Sequence, residues 1–191
     1  MASLFAVSIG LGLGLYSMMP LFLVTDVGME RVHANLITGL SRISGLFSVF
    51  LAGILADRIG RPRTVILALA AAGTCAVLLG VVQGPWITPL LAFLQAASAA
   101  SFYPAGFSLL SSVFPLPIRN LAVSMVLILA TLFGAGGVPP LIGFLADTVS
   151  FSFAFGTAGV ATLASLVLFR GFPAGGATRR ADGRETGSGP R

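Results

Sequence analysis

The chain has 191 residues, of which 56% are apolar and only 9% are charged. Soluble domains carry about 25% charged residues, so this sequence cannot cover a folded surface with polar groups, and a water-soluble domain is excluded. The net charge of +5 comes from arginines without any lysine, which excludes a Walker A site for ATP. In so apolar a chain, the arginines are first considered as signals of membrane topology.

Six apolar stretches are each long enough to cross a bilayer core, which needs about 20 helical residues. They are predicted as helices from about Ala2 to Val24, Asn35 to Ala56, Thr64 to Gly84, Pro89 to Val113, Leu121 to Ala146, and Phe151 to Phe169. The short connections indicate a compact bundle of antiparallel neighbours. We therefore predict an all-α integral membrane protein with a bundle over 1–170. The polar segment 171–191 is predicted to be a disordered basic cytoplasmic tail, with a lipid-binding tail as the alternative.

The arginines are distributed unevenly between the two ends of the predicted bundle. Nine of them lie after helices two, four and six, whereas Arg31 is at the opposite end. Cytoplasmic loops of membrane proteins carry an excess of basic residues, so the end with nine arginines is predicted to be cytoplasmic. We expect a multi-pass protein of the cytoplasmic (inner) membrane with both termini inside, and no nucleic-acid partner.

Helices two and five end in similar segments, which indicates an internal repeat. Gly53-Ile-Leu-Ala-Asp57 and Gly143-Phe-Leu-Ala-Asp147 agree at four of five positions. The alternating helix directions place the first copy at the inner surface and the second at the outer surface. Two inverted three-helix repeats, over about 2–84 and 89–170, would produce this arrangement, which many secondary transporters use.

The first of these segments continues into the strongest motif of the sequence. Gly53-Ile-Leu-Ala-Asp57-Arg58-Ile-Gly60-Arg61-Pro-Arg63 resembles the signature loop of the major facilitator superfamily, Gly-x-Leu-Ala-Asp-Arg-x-Gly-Arg-x-Arg, at nearly every position. We expect Gly53 to permit close helix packing and Gly60 to permit the tight turn. The resemblance implies that the charged residues form a conformational latch between two halves of a transporter, namely Asp57, Arg58, Arg61 and Arg63. A generic positive-inside loop is the alternative interpretation.

Members of this superfamily usually have twelve helices in two halves, whereas six are predicted here. The resemblance therefore implies one half, and the charged tail favours the second half of a longer protein, either truncated or paired with a separate six-helix chain. A six-helix protein that works as a dimer of two copies is the less favoured alternative. The resemblance also implies secondary active or facilitative transport of a small organic solute across the bilayer by alternating access. A non-transporting scaffold or fragment that needs a partner half is the alternative.

Arg42 is the one charged residue that falls inside a predicted span. It lies about seven residues into helix two, roughly 10 Å deep. Together with Thr38, Ser41, Gly45 and Ser48 it forms a polar stripe that would line an aqueous cavity or a helix interface. We expect Arg42 to attract an anionic group, such as a carboxylate, by charge-assisted hydrogen bonds. Snorkelling of Arg42 to the outer surface is the alternative.

Other candidates for substrate binding come from the helices that line the pathway in the superfamily, the first and fourth of each half. Helix one offers Tyr16, and helix four offers Gln95, Ser98 and Tyr103. These side chains could grip an organic solute, although ordinary interhelical hydrogen bonding would also account for them.

The remaining features concern helix five and the absence of reactive groups. Pro139 and Pro140, beside several glycines, are expected to bend or loosen helix five, as a packing kink or as a gating hinge. A single His33 and a single Cys75 are too few for a metal site, a disulfide or a catalytic triad. We therefore expect no cofactor, no metal and no enzymatic activity.

Overall fold

The computed structural model describes residues 2–169 as a bundle of six helices, with no strand in this range. The helices are α1 (Ala2–Thr25), α2 (Arg31–Ile59), α3 (Arg61–Val81), α4 (Ile87–Val113), α5 (Arg119–Ala130, Thr131–Ala135 and Gly136–Thr148 in succession) and α6 (Phe151–Phe169). Five spans are long and apolar enough to cross a membrane, and α6 is apolar over Phe151–Val167. The six predicted helices are confirmed, with ends that differ by at most four residues. The predicted tail lies outside the described residues.

Each of the first three helices packs along at least one of the last three. Helix α2 lies along α4, and α5 lies along α1. Helix α3 lies along both α4 and α6. Short connections make consecutive helices antiparallel, which puts the ends of α2 and α5 at opposite ends of the bundle. Asp57 and Asp147 lie in these two last turns.

Small residues let these helix pairs approach closely. A Cβ atom added to Gly10 of α1 would lie 2.6 Å from the Cα atom of Gly134 in α5. Between α2 and α4, the hydroxyl of Ser48 donates to the carbonyl of Ala97 at 2.7 Å. Glycine and serine at helix contacts are typical of membrane proteins, where association depends on close packing and interhelical hydrogen bonds.

Helix α5 departs from α-helical geometry in its middle. Thr131–Ala135 forms a π-helical turn, and the α-helix resumes at Gly136. Pro139 and Pro140 follow one turn later. Because proline has no N–H, the carbonyls of Ala135 and Gly136 lack their usual donors four residues ahead. The expected loosening of helix five is confirmed, and it takes the form of a π-helical turn.

A hydrogen-bonded tie joins the end of α1 to the start of α6. The carboxylate of Asp26 accepts hydrogen bonds from the backbone N–H of Ser152 at 2.9 Å and from its hydroxyl at 2.7 Å. The side-chain amide of Gln83, after α3, also donates to the Ser152 hydroxyl. Asp26 therefore satisfies one of the free N–H groups at the start of α6.

The Asp26→Ala variant is expected to lose about 1–3 kcal/mol of unfolding free energy, since hydrogen bonds to a charged acceptor contribute about that much. Thermal unfolding of the purified protein in detergent measures the change. Asp147→Ala is the matched control, because Asp147 is exposed and makes no side-chain hydrogen bond within the described range. An equal change in both variants would contradict the proposed tie.

Candidate functional site

A cavity of about 650 Å³ lies among α1, α2, α4 and α5. Its walls are mainly small or apolar side chains, and α4 contributes a stripe of alanines with the spacing of one helical face. The polar groups on the walls are Tyr16 and Ser17 from α1, Arg42 from α2, and Tyr103 from α4. The π-helical turn also reaches this cavity, through Ala135 at its end.

Arg42 and Tyr16 form the polar centre of the cavity. The Arg42 guanidinium carbon lies 4.7 Å from the centroid of the Tyr16 ring, within the range of a cation–π contact. The Tyr16 hydroxyl bonds to the hydroxyl of Ser41 at 2.8 Å and to the carbonyl of Thr38 at 3.4 Å. These two contacts hold the ring in place under the guanidinium. Arg42 is exposed, and within residues 2–169 no carboxylate pairs with it.

Arg42 lies deeper in the helix than its sequence position suggested. Helix α2 begins at Arg31, four residues earlier than predicted, so Arg42 is 11 residues from its start. At a rise of about 1.5 Å per residue, this corresponds to roughly 16 Å along the axis. A charged side chain inside a membrane-spanning helix usually faces a wet cavity or other protein, because lipid exposure costs about 2.5–3.5 kcal/mol at the helix centre.

The predicted polar stripe of α2 divides between the cavity and helix contacts. Arg42 and Gly45 line the cavity. Thr38, Ser41 and Ser48 are buried, and their hydroxyls donate to carbonyls of α2 itself. Ser48 also bonds to α4, as described above. One part of the stripe therefore lines a cavity and the other part lies in a helix interface, which are the two alternatives that the sequence left open.

The structure brings three of the five predicted binding residues together. Tyr103 lines the same cavity as Arg42 and Tyr16, with its ring centroid 6.1 Å from that of Phe107. Gln95 is only 1% exposed and lies in a separate small cavity. Ser98 lines a groove of about 430 Å³ between α2, α3 and α4.

Helix α4 thus turns a different face to the large cavity than predicted. The face with Gln95 and Ser98 points away, and the stripe of Ala96, Ala99, Ala100 and Tyr103 points inward. The spacing of these four small and aromatic residues was the sequence signal that could have found this face.

The signature loop contains a one-residue joint between α2 and α3. Gly60 is the only residue between the two helices and has φ +92° and ψ 145°. Its carbonyl accepts the backbone N–H of Thr64 at 3.2 Å and the Thr64 hydroxyl at 3.1 Å. A positive φ with extended ψ is nearly restricted to glycine, which agrees with the tight turn expected at Gly60.

The other members of the motif make few contacts inside the bundle. A Cβ atom at Gly53 would meet no atom within 4 Å, so the close packing expected there is not found among the described residues. Asp57, Arg58, Arg61 and Arg63 are exposed, and none of them forms an ion pair in the range 2–169. Their charges are therefore available to groups outside the described residues.

Gly60→Ala is expected to destabilise the protein by about 1–3 kcal/mol, because alanine is strained at this backbone conformation. Thermal unfolding in detergent measures the loss. Gly53→Ala is the control from the same motif, and it should leave the melting temperature unchanged or raise it, since alanine favours a helix interior. A loss with Gly53→Ala as large as that with Gly60→Ala would be inconsistent with this explanation.

Similarity to known proteins agrees with this architecture. The sequence model of the Major Facilitator Superfamily matches residues 1–190. No curated protein is significantly similar to the chain. In the described residues, no three His, Cys, Asp or Glu side chains cluster as a metal site would require. With a family match over almost its whole length, this multi-pass membrane protein belongs to the Major Facilitator Superfamily of transporters.

Proposed function

We propose that the chain is one half of a transporter that carries a small organic anion by alternating access, with Arg42 binding the anionic group. The single observation that carries this proposal is the exposed guanidinium of Arg42 in the cavity, held over Tyr16 and paired with no carboxylate of residues 2–169. Arginine binds carboxylates through two parallel charge-assisted hydrogen bonds, which are about twice as strong as neutral ones.

The cavity also indicates the size and polarity of the rest of the solute. Its volume of about 650 Å³ is within the range of small-molecule sites, about 300–1,000 Å³. Around Arg42 the walls are mostly alanine, glycine, leucine and valine, with the tyrosines as the aromatic groups. An amphipathic solute fits this lining, with its anionic group on Arg42 and its apolar body against these walls.

The partner half is proposed to cover the face formed by α2 and α5. In the apolar 18-residue stretches of these helices, only 22% of the residues of α2 and 11% of those in Leu116–Thr148 are buried within the bundle, against 39–50% in α1, α3 and α4. Lipid against this face would bring Arg42 close to hydrocarbon, at a cost of a few kcal/mol. A second six-helix half would instead close the cavity around the solute. It would be a separate chain, another part of a longer protein or a second copy.

The signature loop is proposed to latch this partner. Asp57 and the three arginines of the loop have no partners in the described range, so they are available to the other half. Release of this latch would allow the two halves to rock around a site near the middle of the membrane. The loop is proposed to face the cytoplasm of a cell with both termini inside the cytoplasmic membrane.

Matched pairs of ligands test the anion proposal. The purified protein is heated in detergent with a panel of organic carboxylates and with the corresponding neutral amides. We expect at least one carboxylate to raise the melting temperature while its amide does not. Equal effects of acids and amides would reject the anion site. Exchange of the same carboxylate across vesicles that contain the purified chain alone would favour a homodimer, and binding without exchange would favour a half that needs a different partner or a scaffold.

The orientation is tested with introduced cysteines, because Cys75 is the only native one. In a Cys75→Ala background, a membrane-impermeant thiol reagent should label Arg31→Cys in intact cells. It should label Arg61→Cys only after the cells are permeabilised. The reverse pattern would overturn the proposed sidedness.

A further inference from the structure

A second, much smaller cavity lies in the core of the bundle, between α1, α3, α4 and α6. Its volume is about 20 Å³. Most of its lining is apolar, and three polar side chains face it, Ser8 from α1, Gln95 from α4 and Thr162 from α6. It shares two wall residues, Gly12 and Ala99, with the large cavity that contains Arg42. The two cavities are therefore neighbours on either side of a thin wall.

Two of these polar groups have no hydrogen-bond partner within residues 2–169. The side-chain oxygen Oε1 of Gln95 is fully buried and unpartnered, and so is the hydroxyl oxygen of Ser8. The Thr162 hydroxyl donates to the carbonyl of Ala158 at 2.8 Å, which leaves its oxygen able to accept. A buried unpaired polar group is destabilising, and most buried polar groups have partners. Two such groups around one cavity point to a shared ligand.

The size and chemistry of the cavity select the ligand. A cavity needs about 10–15 Å³ to hold one water molecule, and organic ligands need at least about 300 Å³. A cation would meet only neutral oxygen atoms here, and an isolated charge in an apolar core is far more costly than a neutral polar molecule. A single water molecule is the ligand that satisfies both limits.

We propose that this cavity binds one water molecule, which bridges α1, α4 and α6. The water accepts a hydrogen bond from the hydroxyl of Ser8 and donates to Oε1 of Gln95 and to the hydroxyl oxygen of Thr162. These three bonds are the usual number for a buried water. Gln95 then ties α4 to α1 behind the wall of the large cavity, without contact with the solute. The water site does not depend on the proposed transport function.

Substitution of Gln95 distinguishes a bound water from an unpaired polar group by the sign of its effect. Gln95→Met keeps an unbranched side chain of similar length. If a water is bound, Gln95→Met breaks its network and lowers the melting temperature by about 2–4 °C. If Gln95 is simply unpaired, the same substitution removes a destabilising group and raises the melting temperature. Ser98→Ala, on the same helix but outside this cavity, is the control and should cause no change.

The double variant Ser8→Ala and Gln95→Met tests whether the two residues share the water. The two residues line one cavity without bonding to each other, so a water that both of them contact makes their losses of melting temperature less than additive. We expect the double variant to lose less than the sum of the single losses. Additive effects, or a sodium-dependent stabilisation of the parent protein that Gln95→Met abolishes, would overturn the proposal. A density map that resolves other buried waters must show one peak between Ser8, Gln95 and Thr162, and a map without that peak would also overturn it.

Discussion

We expect the Arg42→Ala variant to bind its anionic solute about 10- to 150-fold more weakly than the parent protein. A hydrogen bond to a charged group contributes about 1.5–3 kcal/mol, and each 1.4 kcal/mol corresponds to a factor of ten in affinity. Removal of the guanidinium leaves the anion against a mainly apolar wall, with only the hydroxyls of Tyr16, Ser17 and Tyr103 as polar groups. The shift of the melting temperature with ligand concentration gives the two dissociation constants.

Two further substitutions separate charge from shape. Arg42→Lys keeps the positive charge but loses the planar group that stacks on Tyr16 and binds a carboxylate through two bonds, so an intermediate loss is expected. Arg31→Ala removes an exposed arginine at the first residue of α2, outside the cavity, and should leave the affinity unchanged. If Arg42→Ala binds every solute as tightly as the parent protein, Arg42 is not the anion site.

Gly159→Ala is expected to have the largest effect on stability, with a loss of about 1–3 kcal/mol or more of unfolding free energy. The added Cβ atom would lie 2.5 Å from the backbone nitrogen of Val77 and 2.8 Å from the carbonyl oxygen of Gly73. These are backbone atoms of α3, so a side-chain rotation cannot relieve the clash, and α3 and α6 must separate. Thermal unfolding in detergent measures the loss.

Gly156→Ala is the matched control, one helical turn earlier on α6. A Cβ atom at Gly156 would meet nothing within 4 Å, so alanine should leave the stability unchanged or raise it by up to about 1 kcal/mol through its helix propensity. Gly159→Ala is therefore expected to lower the unfolding free energy, whereas Gly156→Ala is expected to leave it unchanged or raise it. A similar loss in both would mean that α3 and α6 do not meet at Gly159.

The six spans and the turn at Gly60 could be predicted because each depends on local sequence. Span length follows from hydropathy, and the conformation of Gly60 follows from the signature motif. The rotation of a helix about its axis depends instead on its neighbours. Helix α4 has small and polar residues on several sides, so its sequence alone did not exclude the face with Gln95 and Ser98.

Which helices pack against each other also could not be predicted from the sequence. Gly159 is visible in the sequence as a small residue, but nothing local indicates that it faces Val77 across the bundle. The same holds for the small cavity beside Gln95, because its polar walls come from three helices that are distant along the chain. By contrast, Arg42 could be identified as a candidate from the sequence, because a charged residue is unusual in an apolar span whichever way the helix is rotated.

Helix α2 runs without interruption from the cavity to the signature loop, and this continuity has a mechanical consequence. Arg42 and Asp57 are 15 residues apart on this one helix, or roughly 22 Å along its axis. Only Gly60 separates α2 from α3, so there is no flexible linker between the two helices. A displacement of the loop end of this helix is therefore transmitted to its other end, so the proposed binding of a solute at Arg42 and the proposed latch at Asp57 would be mechanically coupled.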